Sequence, residues 1–127
     1  MTSKTVDSLY EAFAVHDPAA MAATLHPDLV LRVSEGMPLG VGGEHHGPQG
    51  ALGGCWSVIF RAYDTFPVPA EQVWSGDDRV VVLGHYRGTS RATGQDFEAA
   101  FAHDLKLKDG LIADFTQITD TAQWPPA

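Results

Sequence analysis

The 127-residue sequence has one cysteine, eight basic residues and no apolar run long enough to cross a membrane. A single cysteine excludes an internal disulfide, and we interpret Cys55 as a buried thiol in a reducing compartment. Sixteen acidic residues give a formal net charge of −8, which argues against binding to nucleic acid or to anionic membranes. The N-terminus is too polar for a signal peptide. We therefore expect a cytoplasmic protein with neither of these partners.

The length predicts one domain over residues 1–127. Apolar residues at helical spacing, among them Val6 and Phe13, predict an amphipathic helix over residues 3–15. The pair Asp17-Pro18 resembles a helix N-cap followed by a first-turn proline, so a second helix is predicted from Pro18 to Leu25. The sequence "DLVLRVS" predicts a short strand over residues 28–34.

A glycine-rich loop and a third helix come next. The predicted loop, Glu35 to Gly47, contains five glycines and one proline. The predicted helix, from Pro48 to Tyr63, has a wide apolar stripe suited to covering a sheet. Gly50, Gly53 and Gly54 weaken its first turns, which indicates a need for close approach or local mobility.

The second half of the sequence predicts strands joined by short turns. The strands are expected over residues 68–75, 80–91, 95–107 and 111–119, with residues 121–127 as a tail. Together with the first strand and the helices, this order predicts an α+β fold. Three N-terminal helices would cover the concave face of a curved antiparallel sheet.

The strand over residues 95–107 carries the main candidate for chemistry. Its odd positions, from Phe97 through His103 to Leu107, form an apolar face, and the even positions, Asp104 included, form the opposite face. His103 and Asp104 therefore cannot form a dyad on a regular strand. Burial should lower the pKa of His103 and favour a neutral imidazole, which can act as a base or as a hydrogen-bond donor. A purely structural histidine is the alternative.

Two turns leave undecided which residues of the neighbouring strands share the face of His103. A three-residue loop at "KDG" would bring Phe115 and Gln117 to the His103 face, whereas a two-residue Asp-Gly loop would bring Asp114, Thr116 and Ile118 there. The turn "RATGQ" is similarly ambiguous. Either Tyr86 or His85 faces inward, and the other faces out.

Several stretches resemble the nuclear transport factor 2 superfamily, in its branch of SnoaL-like polyketide cyclases and ketosteroid isomerase-like proteins. The matching pieces are "LYEAFAVHDPAAMAATLHPDLVL", "HGPQGALG", "DDRVVVLGHYRGTSRATGQDFEAAFAH" and "LKDGLIADFTQITDTA". This resemblance implies a cone-shaped sheet around an apolar pocket, and a homodimer built on the outer sheet face. It favours the three-residue turn, with Gln117 and His103 diagonal on adjacent strands.

The functional positions of the family transfer in part. Gln117 falls where similar cyclases carry an aspartate base, and glutamine cannot take that proton. The base position of ketosteroid isomerases falls on Val33, with Glu35 two residues further on. Their oxyanion tyrosine falls on Leu9, with Tyr10 one residue away.

These observations favour a cofactor-independent enzyme of isomerase or cyclase type. It would move a proton on a hydrophobic, carbonyl-bearing metabolite such as a polyketide or steroid-like ring. His103, Gln117 and Glu35 are the candidate catalytic residues. The candidate substrate-binding residues are the aromatic side chains Phe13, Trp56, Phe60, Trp74, Tyr86, Phe101 and Phe115.

The alternative is a non-catalytic ligand-binding or dimerisation module, and an epoxide-type hydrolase is a third possibility. No metal site is expected, because the adjacent histidines His45 and His46 lack a typical ligand spacing and a second ligand pair.

Overall fold

Helices and strands alternate in the first half of the chain, and strands dominate the second half. A computed structural model describes residues 3–127. The helices of this part of the chain are α1 (Lys4–Ala14), α2 (Pro18–Ala22), α3 (Gly47–Ala51) and α4 (Ser57–Ala62). The strands are β1 (Leu25–Val33), β2 (Gly43–His46), β3 (Tyr63–Ser75), β4 (Arg79–Ser90), β5 (Asp96–Lys108) and β6 (Leu111–Thr119). Within these residues no helix combines the length and apolar character needed to cross a bilayer.

The first two helices begin at side-chain caps. The hydroxyl of Ser3 accepts a hydrogen bond from the backbone N–H of Val6, and the carboxylate of Asp17 accepts one from the N–H of Ala20. The second helix ends earlier than predicted, at Ala22. The Thr24 hydroxyl donates to the carbonyl of Met21 just after the helix end. The chain then enters β1 at once, three residues before the predicted strand start.

The third helix is not the continuous helix predicted over residues 48–63. A π-helical turn, Leu52–Trp56, joins α3 to α4. A Cβ atom at Gly54, within this turn, would lie 2.7 Å from Nδ1 of His45, so close approach of the His45 ring explains this glycine. The helix ends at Ala62, and β3 begins at Tyr63 rather than at Val68. The early residues of β3 pair with β4, Tyr63 opposite Ser90.

The six strands form one mostly antiparallel curved sheet in the order β2-β1-β6-β5-β4-β3. The α+β fold predicted from the sequence is confirmed. One pairing, β1 with β6, is parallel. The predicted loop at 35–47 contains β2, which pairs with β1 and sets His45 opposite Leu31. The loop prediction was wrong there because pairing with β1, not an apolar pattern, makes these residues a strand.

The β5–β6 hairpin combines the two registers that the sequence left open. Its loop has two residues, Asp109 and Gly110, both with positive φ (54° and 75°), and Lys108 pairs with Leu111. Lys106 pairs with Asp114 and Leu107 with Ile112, so Ala113 is a β-bulge on β6. The extra residue compensates for the short turn. Gln117 consequently faces inward, directly opposite His103 rather than diagonal to it.

The β4–β5 hairpin settles the orientation of the other ambiguous pair. Tyr86 pairs with Ala99 on the buried face, and His85 pairs with Ala100 on the exposed face. The ring of Phe101 crosses Gly84, where an added Cβ would lie 2.9 Å from the tip of that ring and would overlap the carbonyl oxygen of Val68. Glycine at position 84 therefore gives the sheet the space that these aromatic side chains occupy.

Candidate functional site

The candidate site lies on the inner face of β5, where His103 is completely buried. Nδ1 of His103 is 2.7 Å from the hydroxyl oxygen of Tyr10 on α1, and Nε2 is 2.7 Å from the hydroxyl oxygen of Tyr86 on β4. Asp104 lies on the outer face, where its carboxylate accepts hydrogen bonds of 3.1 and 2.8 Å from Arg79. Three elements that are distant in sequence therefore meet at one imidazole, and the neighbouring carboxylate is not among them.

Gln117 extends this arrangement along β6. Its side-chain Nε2 donates to the hydroxyl oxygen of Tyr86 over 3.1 Å, and its Oε1 accepts from the backbone N–H of Ser34 over 3.3 Å. Ser34 follows the end of β1, and its hydroxyl donates to the backbone carbonyl of Gln117 over 3.0 Å. Tyr10, His103, Tyr86 and Gln117 thus form one buried chain of hydrogen bonds, which we call the inner network.

Burial keeps the inner network uncharged. Desolvation lowers the pKa of His103 to about 3, so its imidazole is neutral at physiological pH. Desolvation also raises the pKa of both tyrosines, although the hydrogen bond from Gln117 opposes this effect at Tyr86. At neutral pH the network therefore consists of neutral donors and acceptors.

Aromatic rings hold the imidazole in place. The ring of Phe101 stacks on His103 with the two centroids 4.0 Å apart, and Phe115 lies 4.8 Å away on the neighbouring strand. Tyr86 in turn packs against Phe101 at 5.0 Å. These contacts restrict the orientation of the imidazole, so the directions of its two hydrogen bonds are fixed by packing as well as by their partners.

A small cavity adjoins the inner network. Its volume is about 20 Å³, which suffices for about one water molecule. Its walls include Phe13, Trp56 and Phe60, and the side chains of Tyr86 and Gln117 contribute polar groups. His103 lies behind Tyr86, so Tyr86 and Gln117 are the members of the network that reach the cavity.

The residues after β6 close one side of this cavity. The predicted tail contains a short 3₁₀ turn, Thr121–Gln123, and then Trp124, which is 8% exposed and lines the cavity. The ring of Trp124 lies 5.1 Å from that of Tyr86, and the hydroxyl of Tyr63 donates to the carbonyl of Pro125. This segment is thus part of the core rather than a free tail.

The remaining predicted site residues lie away from the cavity. Glu35 is exposed on the loop after β1. Trp74 is half-buried near the end of β3, and its indole N–H donates to the side-chain oxygen of Gln72 over 3.1 Å. Among residues 3–127 the structure brings together His103, Gln117, Tyr86, Phe101 and Phe115, with Phe13, Trp56 and Phe60 around the cavity.

The two adjacent histidines have separate partners. Nε2 of His45 donates to the carbonyl of Val41 over 2.7 Å, and His46 lies 3.3 Å from the carboxylate of Glu44 at the surface. In the described part of the chain, no three histidine, cysteine, aspartate or glutamate side chains converge as they do around a metal ion.

Three members of the site were missed from the sequence: Tyr10, Ser34 and Trp124. Tyr10 gave the clearest signal, because it lies on the apolar stripe of α1 and a buried tyrosine hydroxyl requires a hydrogen-bond partner. Ser34 bonds to Gln117 through its backbone N–H and its hydroxyl, and Trp124 lies beyond the last strand. Neither of these roles has a periodic signature.

The sequence matches the SnoaL-like domain family over residues 6–115, which is most of the chain. The chain belongs to the SnoaL-like domain family. The resemblance inferred from the sequence is thereby confirmed, and the six-stranded sheet is the expected SnoaL-like architecture.

Solved structures agree with this assignment. The SnoaL-like chain is 31% identical to a nuclear transport factor 2-like protein of unknown function from Burkholderia pseudomallei, with 94% of this chain and 90% of the other covered and a TM-score of 0.84. It is 28% identical to TerC co-crystallised with polyporic acid (94% and 91% covered, TM-score 0.81). It is 26% identical to IdmH, a proposed polyketide cyclase from Streptomyces antibioticus (94% and 91% covered, TM-score 0.76). No curated protein matches the sequence significantly.

The geometry of this SnoaL-like site suits hydrogen-bond donation to a ligand oxygen. Gln117 has a second amide N–H beyond the one it gives to Tyr86, and both side chains reach the cavity. The side chain of Gln117 is an amide, which cannot take a proton at neutral pH. The site is therefore better suited to polarising an oxygen atom than to removing a proton directly.

Proposed function

We propose that the protein is a small cofactor-independent enzyme of isomerase or cyclase type. Its substrate would be a hydrophobic, carbonyl-bearing metabolite such as a polyketide or steroid-like ring. The observation that carries this proposal is the inner network, a buried and uncharged chain of hydrogen bonds whose last two members, Tyr86 and Gln117, reach an aromatic cavity. Preorganised donors of this kind stabilise the negative charge that develops on a carbonyl oxygen during enolisation.

The proposal gives His103 an indirect role. Because His103 lies behind Tyr86 and has a pKa of about 3, we assign it the support of the Tyr86 hydroxyl rather than direct proton removal. Tyr86 and Gln117 would contact the substrate oxygen. Glu35 is exposed on its loop, so the proposed chemistry does not depend on it. The proton that leaves the carbon beside the carbonyl would pass to a water molecule and would return from water to the enolate.

Substrate binding requires the cavity to open. A volume of about 20 Å³ is far below the roughly 300 Å³ of small ligand pockets. A surface groove of about 210 Å³ lies between α2 and the helical residues 52–61, and it shares Trp56 and Phe60 with the cavity. Rotation of these two side chains would join both spaces. One relative was crystallised with polyporic acid, and another is a proposed polyketide cyclase. Both support a ring-containing ligand that needs more space than the closed cavity offers.

The test is solvent deuterium exchange at the carbon next to the carbonyl of cyclic aromatic ketones, followed by mass spectrometry. We expect wild-type protein to accelerate the exchange, and Tyr86→Phe to lower the rate about 100-fold. The exposed outer-face variant His85→Gln is the matched control and should retain the wild-type rate. Activity within a few-fold of wild type in both His103→Gln and Tyr86→Phe would overturn the role of the inner network.

The second candidate function is a non-catalytic binding module. It is favoured by the small cavity and by the fact that the members of the inner network already bond to one another. In that case the ketones would raise the unfolding temperature without any deuterium exchange. Exchange together with stabilisation supports the enzyme.

We also propose that the protein is a cytoplasmic homodimer that pairs through the outer sheet face. Exposed apolar side chains of three strands support this: Val73 (51% exposed), Leu83 (37%) and Ile118 (61%). Light scattering should show a dimer in wild type and a monomer in Leu83→Glu. Val15→Glu changes an exposed apolar residue after α1 and should leave the dimer intact. A wild-type monomer would contradict the proposal.

A further inference from the structure

The number of protons on the side chains of the inner network limits the directions in which its hydrogen bonds can run. A neutral imidazole has one N–H donor and one acceptor nitrogen, and each tyrosine hydroxyl has one proton to donate. His103 is bonded at both nitrogens, to Tyr10 and to Tyr86. The tautomer of His103 determines which hydroxyl donates and which accepts, so two arrangements are possible.

The hydrogen bonds of the Gln117 side chain have only one possible direction. Its Oε1 faces the backbone N–H of Ser34 at 3.3 Å, and a backbone N–H can only donate. The amide nitrogen must therefore face Tyr86, to which it donates over 3.1 Å. The hydroxyl oxygen of Tyr86 accepts this hydrogen bond in both arrangements.

The two arrangements leave different protons without a partner. If His103 carries its proton on Nδ1, it donates to Tyr10 and accepts from Tyr86, and the hydroxyl proton of Tyr10 is left over. If it carries the proton on Nε2, it accepts from Tyr10 and donates to Tyr86, and the hydroxyl proton of Tyr86 is left over.

The surroundings of the two hydroxyls decide between them. Tyr10 is 6% exposed and borders a surface groove between α1 and β3. However, His103, the partner that the described residues give its hydroxyl, does not border that groove. An unpaired donor there costs about 1–3 kcal/mol. Tyr86 lines the cavity, where a water molecule or a ligand oxygen can accept its proton. The arrangement with the proton on Nε2 places the remaining hydroxyl proton at the cavity, where it can find an acceptor, and is therefore the favoured one.

We propose that Tyr10 is a positioning residue that holds His103 as the Nε2–H tautomer and so leaves the hydroxyl proton of Tyr86 free for a ligand. With the second amide N–H of Gln117, the end of the cavity at Tyr86 then offers two donors. It selects ligands that present an acceptor oxygen, a carbonyl or an enolate. The identity of the ligand rests on the proposed function, but the direction of the hydrogen bonds does not.

The experiment is long-range ¹⁵N–¹H NMR of the histidine side chains in the ligand-free protein, which identifies the protonated nitrogen. His103→Gln assigns the His103 signals. We expect wild type to show the Nε2–H form, and Tyr10→Phe, which removes one hydroxyl, to shift the tautomer ratio towards Nδ1–H. An Nδ1–H form in wild type would overturn the proposal.

A matched control separates positioning from packing. Tyr63 is another buried tyrosine, and its hydroxyl donates to Pro125 outside the inner network. Tyr63→Phe should leave the tautomer ratio unchanged. Equal ratios in wild type and Tyr10→Phe would refute the role of Tyr10. Because no substrate is present, the result stands apart from the ketone exchange test, and either proposal can fail alone.

Discussion

The two faces of β5 place their polar side chains in opposite environments. His103 and Asp104 are adjacent, but His103 is fully buried and bonded to two neutral hydroxyls, whereas Asp104 pairs with the charged guanidinium of Arg79 at the surface. On the inner face every partner is fixed in place and water is excluded. On the outer face water can replace either partner.

This difference determines what each polar group contributes. A buried group that loses its partner retains the full cost of desolvation, while an exposed ion pair gains little over its hydrated components. The inner network should therefore dominate stability and site geometry. The outer ion pairs should tune solubility and association.

The largest expected effect is that of removing the imidazole. His103→Ala leaves the buried hydroxyl of Tyr10 without a partner, removes one of the two partners of the Tyr86 hydroxyl and creates a cavity. We therefore expect a loss of about 4 kcal/mol in the free energy of unfolding. Asp104→Ala, the adjacent outer-face variant, should lose much less. Urea unfolding of both variants measures the contrast, and similar losses would refute it.

Gly84 gives the next largest expected effect. Gly84→Ala places a methyl group against the carbonyl of Val68 and the ring of Phe101, so we expect a destabilisation of about 3 kcal/mol. Gly53→Ala is the matched control, because a Cβ at Gly53 meets nothing within 4 Å. It should stabilise the helix by up to about 1 kcal/mol. The unfolding temperatures of the two variants should therefore shift in opposite directions from that of the wild type.

Acid should destabilise the inner face through His103. Its pKa is about 3 in the folded protein, below the ordinary value of 6.5, so between these values the unfolded chain binds more protons. The contribution is complete above pH 6.5 and falls by about 1.4 kcal/mol per pH unit below it, about 2 kcal/mol by pH 5. His103→Gln should remove this part of the pH dependence, while His85→Gln should keep it. A slope unchanged in His103→Gln would contradict the assignment.

The smallest expected effect belongs to the outer ion pair. A double-mutant cycle of Arg79→Ala and Asp104→Ala should give a weak coupling that disappears in high salt, because both side chains are partly solvated. The coupling of Tyr10→Phe with Tyr86→Phe should be insensitive to salt. A salt-dependent inner coupling would remove the distinction between the faces.

Patterns that burial imposes directly were predictable from the sequence. Periodicity located the helices and the long strands, and strand alternation separated His103 from Asp104. By contrast, β2 is short and half exposed, so its formation depends on pairing with β1. The inward placement of Gln117 was right, but the turn assumed for it was wrong, since the bulge at Ala113 is a property of the folded hairpin.

The candidate site was predictable in part for the same reason. His103, Gln117 and the aromatic walls lie on apolar faces that the pattern shows. Tyr10 and His103 are 93 residues apart, and their contact depends on how α1 packs across the sheet. Trp124 packs against rings from three strands, which no local pattern indicates.

The bulge at Ala113 compensates for the short turn, as a one-residue insertion in a strand compensates for a one-residue deletion in its loop. The two-residue turn at Asp109-Gly110 shifts the alternation of β6 by one, and Ala113 shifts it back before Phe115. Deletion of Ala113 alone would leave Gln117 opposite His103, because the residues from Asp114 onward would keep their partners in a regular ladder. If Ala113 instead paired with Lys106, each later residue of β6 would move by one position, and Thr116 would take the place of Gln117 opposite His103.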